Sequence, residues 1–178
     1  FNMSPTLGCA PLNVNFTNTT ANMQGATFNW NFGNGSSATI ANPSTVYSDS
    51  GTYAVTLTVT NSNGCFDDST RTVRSNLSPT AIAATTDTAG CAPYTSTFTN
   101  NSLNATSYQW SFGDGSTSTI ATPTHTYNTS GNYTVTLVAT NASGCRDTLV
   151  FPYTIKVNNK PVAAFTPASA SGCVPYTV

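Results

Sequence analysis

Five cysteines, Cys9, Cys65, Cys91, Cys145 and Cys173, are the residues of this 178-residue chain best equipped for covalent chemistry. Paired thiols can form disulfides, and clustered thiols can hold zinc. Zinc sites need Cys-x-x-Cys or Cys/His clusters, and the sequence has none. Acid–base groups are scarce: no Glu, a single histidine (His125) and six Asp. A glycosidase needs two facing carboxylates. A nucleophilic triad needs Ser or Cys, a base and an orienting acid in contact. Six scattered acids and one base do not suggest either, so no enzyme activity and no cofactor are expected. Asp114, between Gly113 and Gly115, could offer a carboxylate to calcium. Such a site wants six to eight oxygens, usually from several carboxylates, while the neighbours here are Ser116 and Thr117. The plainer reading is an Asx turn in which Asp114 accepts backbone N–H bonds.

Charge narrows the partners. Only 6% of residues are charged and the net charge is −1, against roughly 25% charged in ordinary globular proteins. That cannot neutralise a phosphate backbone, so nucleic acid is excluded as a partner. No apolar run of 18 residues is present, so no membrane-spanning helix is expected. Thr, Ser and Asn number 34, 20 and 20, and 38% of residues are hydrophobic. Those hydrophobic residues are enough to build a core.

The elements that must position these groups follow from an internal repeat. Gly8-Cys9-Ala10-Pro11 returns as Gly90-Cys91-Ala92-Pro93 and as Gly172-Cys173-Val174-Pro175, with a spacing of 82 each time. Phe28-Asn29-Trp30-Asn31-Phe32-Gly33-Asn34-Gly35 returns 80 residues on, as Tyr108 to Gly115. Asn61-Ser62-Asn63-Gly64-Cys65 returns as Asn141 to Cys145, also 80 residues on. The first repeat therefore carries two extra residues before Trp30, and the second recovers them after Cys145. The expected units are 1–82, 83–164 and the opening of a third at 165–178, a piece of a continuing array. His125 stands where the first repeat has Thr45, and Asp114 where it has Asn34, which favours surface and turn roles for both.

Each repeat reads as all-β. Tyr53, Val55, Leu57 and Val59 alternate with small and hydroxyl residues, as do Leu12, Val14 and Phe16 with Asn, giving the period of a strand with one buried face. Turn signals stand at Gly33-Asn34-Gly35, Asp49-Ser50-Gly51 and Asn61–Gly64. Short strands at this spacing predict a sandwich of about seven strands per repeat. Trp30, Phe32, Trp110 and Phe112 lie on the apolar face and read as core rather than as sugar-stacking platforms. Tyr53 and Tyr133, each following Gly-x, resemble the tyrosine corner of such sandwiches.

Trp-x-Phe-Gly-Asp-Gly at 110–115, Pro-Thr-His-Thr-Tyr at 123–127 and Gly-x-Tyr-x-Val-x-Leu at 131–137 together resemble a PKD domain, and the first repeat departs from the pattern at Asn34, where the family prefers Asp. The resemblance implies tandem immunoglobulin-like sandwiches outside the cell. The paired cysteines and the Gly-Cys-x-Pro opening are similar to variants abundant in large secreted proteins of Bacteroidota-type bacteria. There the resemblance implies O-glycosylation at Asp-Ser/Thr sites, here Ser69, Thr88 and Thr148. Asn-x-Ser/Thr sequons exceed chance only mildly.

Spacing leaves the connectivity of the cysteines open. An in-register repeat favours one bond inside each unit, Cys9–Cys65 and Cys91–Cys145, with Cys173 awaiting the rest of its repeat. Disulfides place the chain in an oxidising, extracellular compartment. The function expected is non-catalytic: repeats of a surface filament, stalk or adhesin shaft, each advancing it by about 35–40 Å given strands of ~3.4 Å per residue. Partners would be neighbouring repeats, further copies in a filament, and surface glycans or proteins. The alternative is a carbohydrate-binding or spacer module of a secreted polysaccharide hydrolase or protease.

Overall fold

A computed structural model of the chain describes residues 1–21 and 24–165. Cys173 and the opening of a third repeat beyond Phe165 lie outside the described residues. No helix occurs among those described, and each repeat is a sandwich with its own core.

The first repeat comprises β1 (Asn2–Ser4), β2 (Leu7–Cys9), β3 (Leu12–Thr17), β4 (Thr27–Asn31), β5 (Ser37–Ala38), β6 (Ser44–Tyr47), β7 (Gly51–Thr60) and β8 (Phe66–Asn76). One sheet has the order β1-β3-β6, the other β2-β8-β7-β4-β5. β3 buries Leu12, Val14 and Phe16 and exposes the residues between them, as its period requires. The two sheets close over Trp30, Phe32, Tyr47, Val55, Leu57 and Val73.

The second repeat comprises β9 (Ala83–Thr85), β10 (Ala89–Cys91), β11 (Tyr94–Asn100), β12 (Ser107–Ser111), β13 (Thr117–Ser118), β14 (Thr124–Tyr127), β15 (Gly131–Tyr133), β16 (Thr136–Thr140), β17 (Arg146–Val150) and β18 (Ile155–Asn158). Its greater strand count comes from one local change. In the first repeat β7 and β8 pair without interruption from Gly51↔Ser75 to Thr60↔Phe66. In the second, Tyr133 pairs with Ile155 but Thr136 pairs with Val150, so the returning strand holds two extra residues. These are the two residues recovered after Cys145. Pro152, which has no N–H to give the ladder, sits in the interruption between β17 and β18.

The bulge also changes which aromatic ring fills the core. Phe151 is 4% exposed and packs edge-on to Phe98, with centroids 6.0 Å apart, and against Trp110 at 6.3 Å. In the first repeat the corresponding rings, Phe16 and Trp30, are met instead by Phe1, at 6.4 and 4.9 Å. The residue 82 positions after Phe1 is Ala83, and the one 80 before Phe151 is Arg71. Both cores therefore hold one such ring, supplied from opposite ends of the repeat.

Two glycines per repeat are dictated by space. Gly33 and Gly113 have φ of +74° and +86°, and a Cβ there would lie 2.6 Å from the carbonyl oxygens of Ala54 and Thr134. At Gly8 and Gly90 a Cβ would run into the side chains of Leu12 and Tyr94. The Gly-Cys-x-Pro opening thus packs its glycine directly onto the first large residue after the motif.

Candidate functional site at the repeat junction

The loop after β12 gathers the chemistry-bearing groups of the second repeat. His125, on β14, places Nε2 2.7 Å from Asp114 Oδ2 and 3.2 Å from Ser116 Oγ, and Ser116 Oγ donates to Asp114 Oδ1. The residue types are those of a nucleophilic triad, but the geometry is not. A triad sets acid and nucleophile on opposite ring nitrogens so that a proton can pass through the imidazole. Here both meet the same nitrogen, while the ring lies flat on Phe112 with centroids 4.2 Å apart. The first repeat closes the same loop without any titratable group. Asn34 Nδ2 donates to Val46 O at 3.2 Å, and Ser36 Oγ lies 2.6 Å from Asn34 Oδ1 and 3.2 Å from Thr45 Oγ1. The cluster is a clip between the turn and the neighbouring strand. Burial pushes the Asp114 carboxyl up, but hydrogen bonds from the Ser116 side chain and backbone, then from His125 and its charge, outweigh this and hold it down at about 2. Among the described residues no group of three His, Cys, Asp or Glu could hold a metal ion.

The aromatic candidates are placed by the sandwich itself. Trp30 and Trp110 are fully buried, out of reach of any sugar. Phe32 and Phe112 lie beside them in the cores. Tyr53 OH donates to Asp49 O and Tyr133 OH to Thr129 O, both at 2.9 Å, each tying the loop four residues back to the start of its strand. Ser69, Thr88 and Thr148 are all exposed.

The cysteines correct the expected pairing. Cys9 is bonded to Cys145, with Cα atoms 5.7 Å apart, while Cys65 and Cys91 are free and exposed. The bond lies between repeats, and neither Cys9–Cys65 nor Cys91–Cys145 forms. β2 runs parallel to β8 with Cys9 opposite Asn76, whereas Cys65 immediately precedes Phe66 at the other end of β8. Ten steps of ~3.4 Å separate those ends by about 34 Å, far beyond the ~7 Å Cα limit of a disulfide. The same holds in the second repeat, where Cys91 pairs opposite Asn158 and Cys145 precedes Arg146. Each repeat thus carries its two cysteines at opposite ends.

The segment joining the repeats is fastened along its length. Leu77 O accepts from Asn141 Nδ2 at 2.6 Å, Ser78 Oγ donates back to Ala10 O, and Thr80 and Leu103 exchange backbone bonds at 3.0 and 2.9 Å. Ala81 N donates to Asp147 Oδ2 at 2.8 Å, and Ile82 N to Ser102 Oγ at 3.1 Å. Asn141 also accepts from the backbone N–H groups of Ser143 and Cys145, which shapes the turn that presents Cys145. Cys145 is 1% exposed in this setting. Sequence reading picked out the cysteines and placed Asn141 in the recurring turn, but gave neither Asn141 nor Asp147 a role at the junction. The signal was the recurrence of Asn61, Cys65 and Asp67 as Asn141, Cys145 and Asp147.

Two immunoglobulin-like sandwiches, coupled end to end through a bonded linker and a disulfide, define a tandem-repeat module. The PKD domain family matches residues 4–77 and 76–157, and the chain belongs to that family. It is 49% identical over 55 residues to the pre-pro-metalloprotease PrtV of Vibrio cholerae, covering 31% of this chain and 6% of that protein. It is 38% identical over 84 residues to a microbial collagenase of Vibrio alginolyticus, covering 44% of this chain and 10% of that one. Among solved structures, the PKD1 domain of the Vibrio cholerae metalloprotease PrtV is 36% identical and is 99% covered, over 46% of this chain, with a TM-score of 0.40. The chain therefore spans a tenth or less of the length of these curated relatives.

Proposed function

We propose that this pair of PKD domains is a non-catalytic extracellular segment that works as a stiff spacer, part of the shaft of a cell-surface filament, stalk or adhesin. One observation carries the reading: the attachment points of the first repeat lie at opposite ends of β8, its longest strand, about 34 Å apart at ~3.4 Å per residue, and the linker is bonded rather than free. A flexible tether would leave that backbone to water. The repeats' cores share no residue, so the junction adds order between units that each have a core of their own. An interdomain disulfide suits an oxidising exterior. The likeness to metalloprotease and collagenase segments favours a second reading, a spacer or polymer-binding accessory of a secreted hydrolase.

Small-angle scattering combined with co-sedimentation separates the two. The shaft reading expects a rod lengthened by about 35 Å per repeat, from strands of ~3.4 Å per residue, that stays in the supernatant with insoluble polysaccharide and collagen fibrils. A compact particle would overturn it, and retention on either polymer would establish the accessory reading in its place.

A further inference from the structure

We infer that Cys65 and Cys91 are half-cystines of two further interrepeat bridges, so that each repeat's opening cysteine bonds the turn cysteine of the repeat that follows it. This extends the shaft reading and rests on it. The supporting observation is the occupied junction within the chain: Cys9 and Cys145, the counterparts of Cys91 and Cys65, are joined to each other.

The donor end recurs at the far side of the second repeat. Ala10 N donates to Asn76 O at 2.8 Å, and Ala92 N to Asn158 O at 2.9 Å. Arg74 N donates to Thr6 O at 2.9 Å, and Lys156 N to Thr88 O at 2.7 Å. Cys91 therefore stands at the end of the sandwich as Cys9 does. Beyond it Pro161 and Ala163 repeat the linker's Pro79 and Ala81, and Val162 and Phe165 are 91% and 88% exposed.

The acceptor end recurs on the first repeat. Asn61 accepts from the N–H groups of Asn63 and Cys65 as Asn141 does from Ser143 and Cys145. Asp67 stands where Asp147 grips Ala81. Here, however, Cys65 is exposed where Cys145 is buried, and Phe66 is 73% exposed. A pocket of about 340 Å³ opens beside this turn, lined among others by Phe1, Val59, Asn61, Cys65, Phe66 and Asp67. The occupant that fits is the linker and Gly-Cys-x-Pro opening of another PKD repeat, since that is what covers the same face on the second repeat. Each bond forms as two thiols pass two electrons and two protons to a disulfide oxidant, which leaves as two thiols.

The test uses the chain through residue 164 extended by a second copy of residues 83–164, oxidised with oxidised glutathione, alkylated and mapped without reduction. The expected result joins Cys91 to the turn cysteine of the added repeat, with at least tenfold less alkylated Cys91 and an unchanged Cys9–Cys145 bond. A companion chain with a second copy of residues 1–82 placed in front should join that copy's opening cysteine to Cys65, which guards against a misfolded addition. Alkylated Cys91 and Cys65 in both chains, or bonds to any other cysteine, would overturn the inference. Scattering on the same samples keeps the two readings apart. Unbridged repeats in a lengthening rod would remove only the bridges, and bridged repeats in a compact particle would remove only the shaft.

Discussion

The two tryptophans occupy equivalent core positions but differ in one hydrogen bond. Trp30 Nε1 donates to Ile40 O at 3.0 Å, whereas Trp110 Nε1 is buried without a partner. Replacing each by Phe removes similar volume, but only Trp30→Phe strands a carbonyl that had a partner. That variant should be the less stable of the two by about 1 kcal/mol, as read from urea unfolding, and equal or reversed midpoints would contradict the assignment. Asp114 adds a pH term. Its folded pKa of about 2 lies below the ordinary 3.8, so the stability it contributes is complete above about pH 4 and disappears as pH falls through 2. Asp114→Asn, which copies Asn34 of the first repeat, should remove this share of acid sensitivity. An unchanged loss of stability between pH 4 and pH 2 in that variant would show that the clip does not carry it.

At the scale of elements, the strand pattern was largely legible, because Leu12, Val14 and Phe16, or Val55 and Leu57, announce their buried face by strict alternation. The tandem repeat located the turns and the tryptophan strand. The path of the core through the bulge was not legible: Phe151 looks like one more residue of a strand until Pro152 breaks the ladder. The exchange of Phe1 for Phe151 makes a direct prediction. Phe151→Ala should destabilise the second repeat by roughly 3–5 kcal/mol, whereas Arg71→Ala, at the matching place in the first, should cost under about 1 kcal/mol. Calorimetry of the two variants checks this, and comparable losses would mean that Arg71 supports the first core as Phe151 supports the second. The disulfide pairing was misread for a related reason. Phase alone makes a bond inside each repeat look natural, and only the length of β8, with Cys9 at one end and Cys65 at the other, shows that it cannot close.

Across the whole molecule, the decisive feature is a bond that spans 136 residues and joins one sandwich to the next. It requires the repeats to meet end to end, with the turn of one against the opening motif of the other, and it leaves Cys65 and Cys91 unbonded. Closing so long a loop restricts the unfolded chain by about 5 kcal/mol in the entropic treatment, a value comparable with the stability of a small domain. A non-reducing peptide map of the 178-residue chain, alkylated before digestion, tests this most directly. The expected result is a linked pair of peptides containing Cys9 and Cys145, with Cys65 and Cys91 carrying the alkyl label. Peptides linking Cys9 to Cys65 and Cys91 to Cys145 would contradict it.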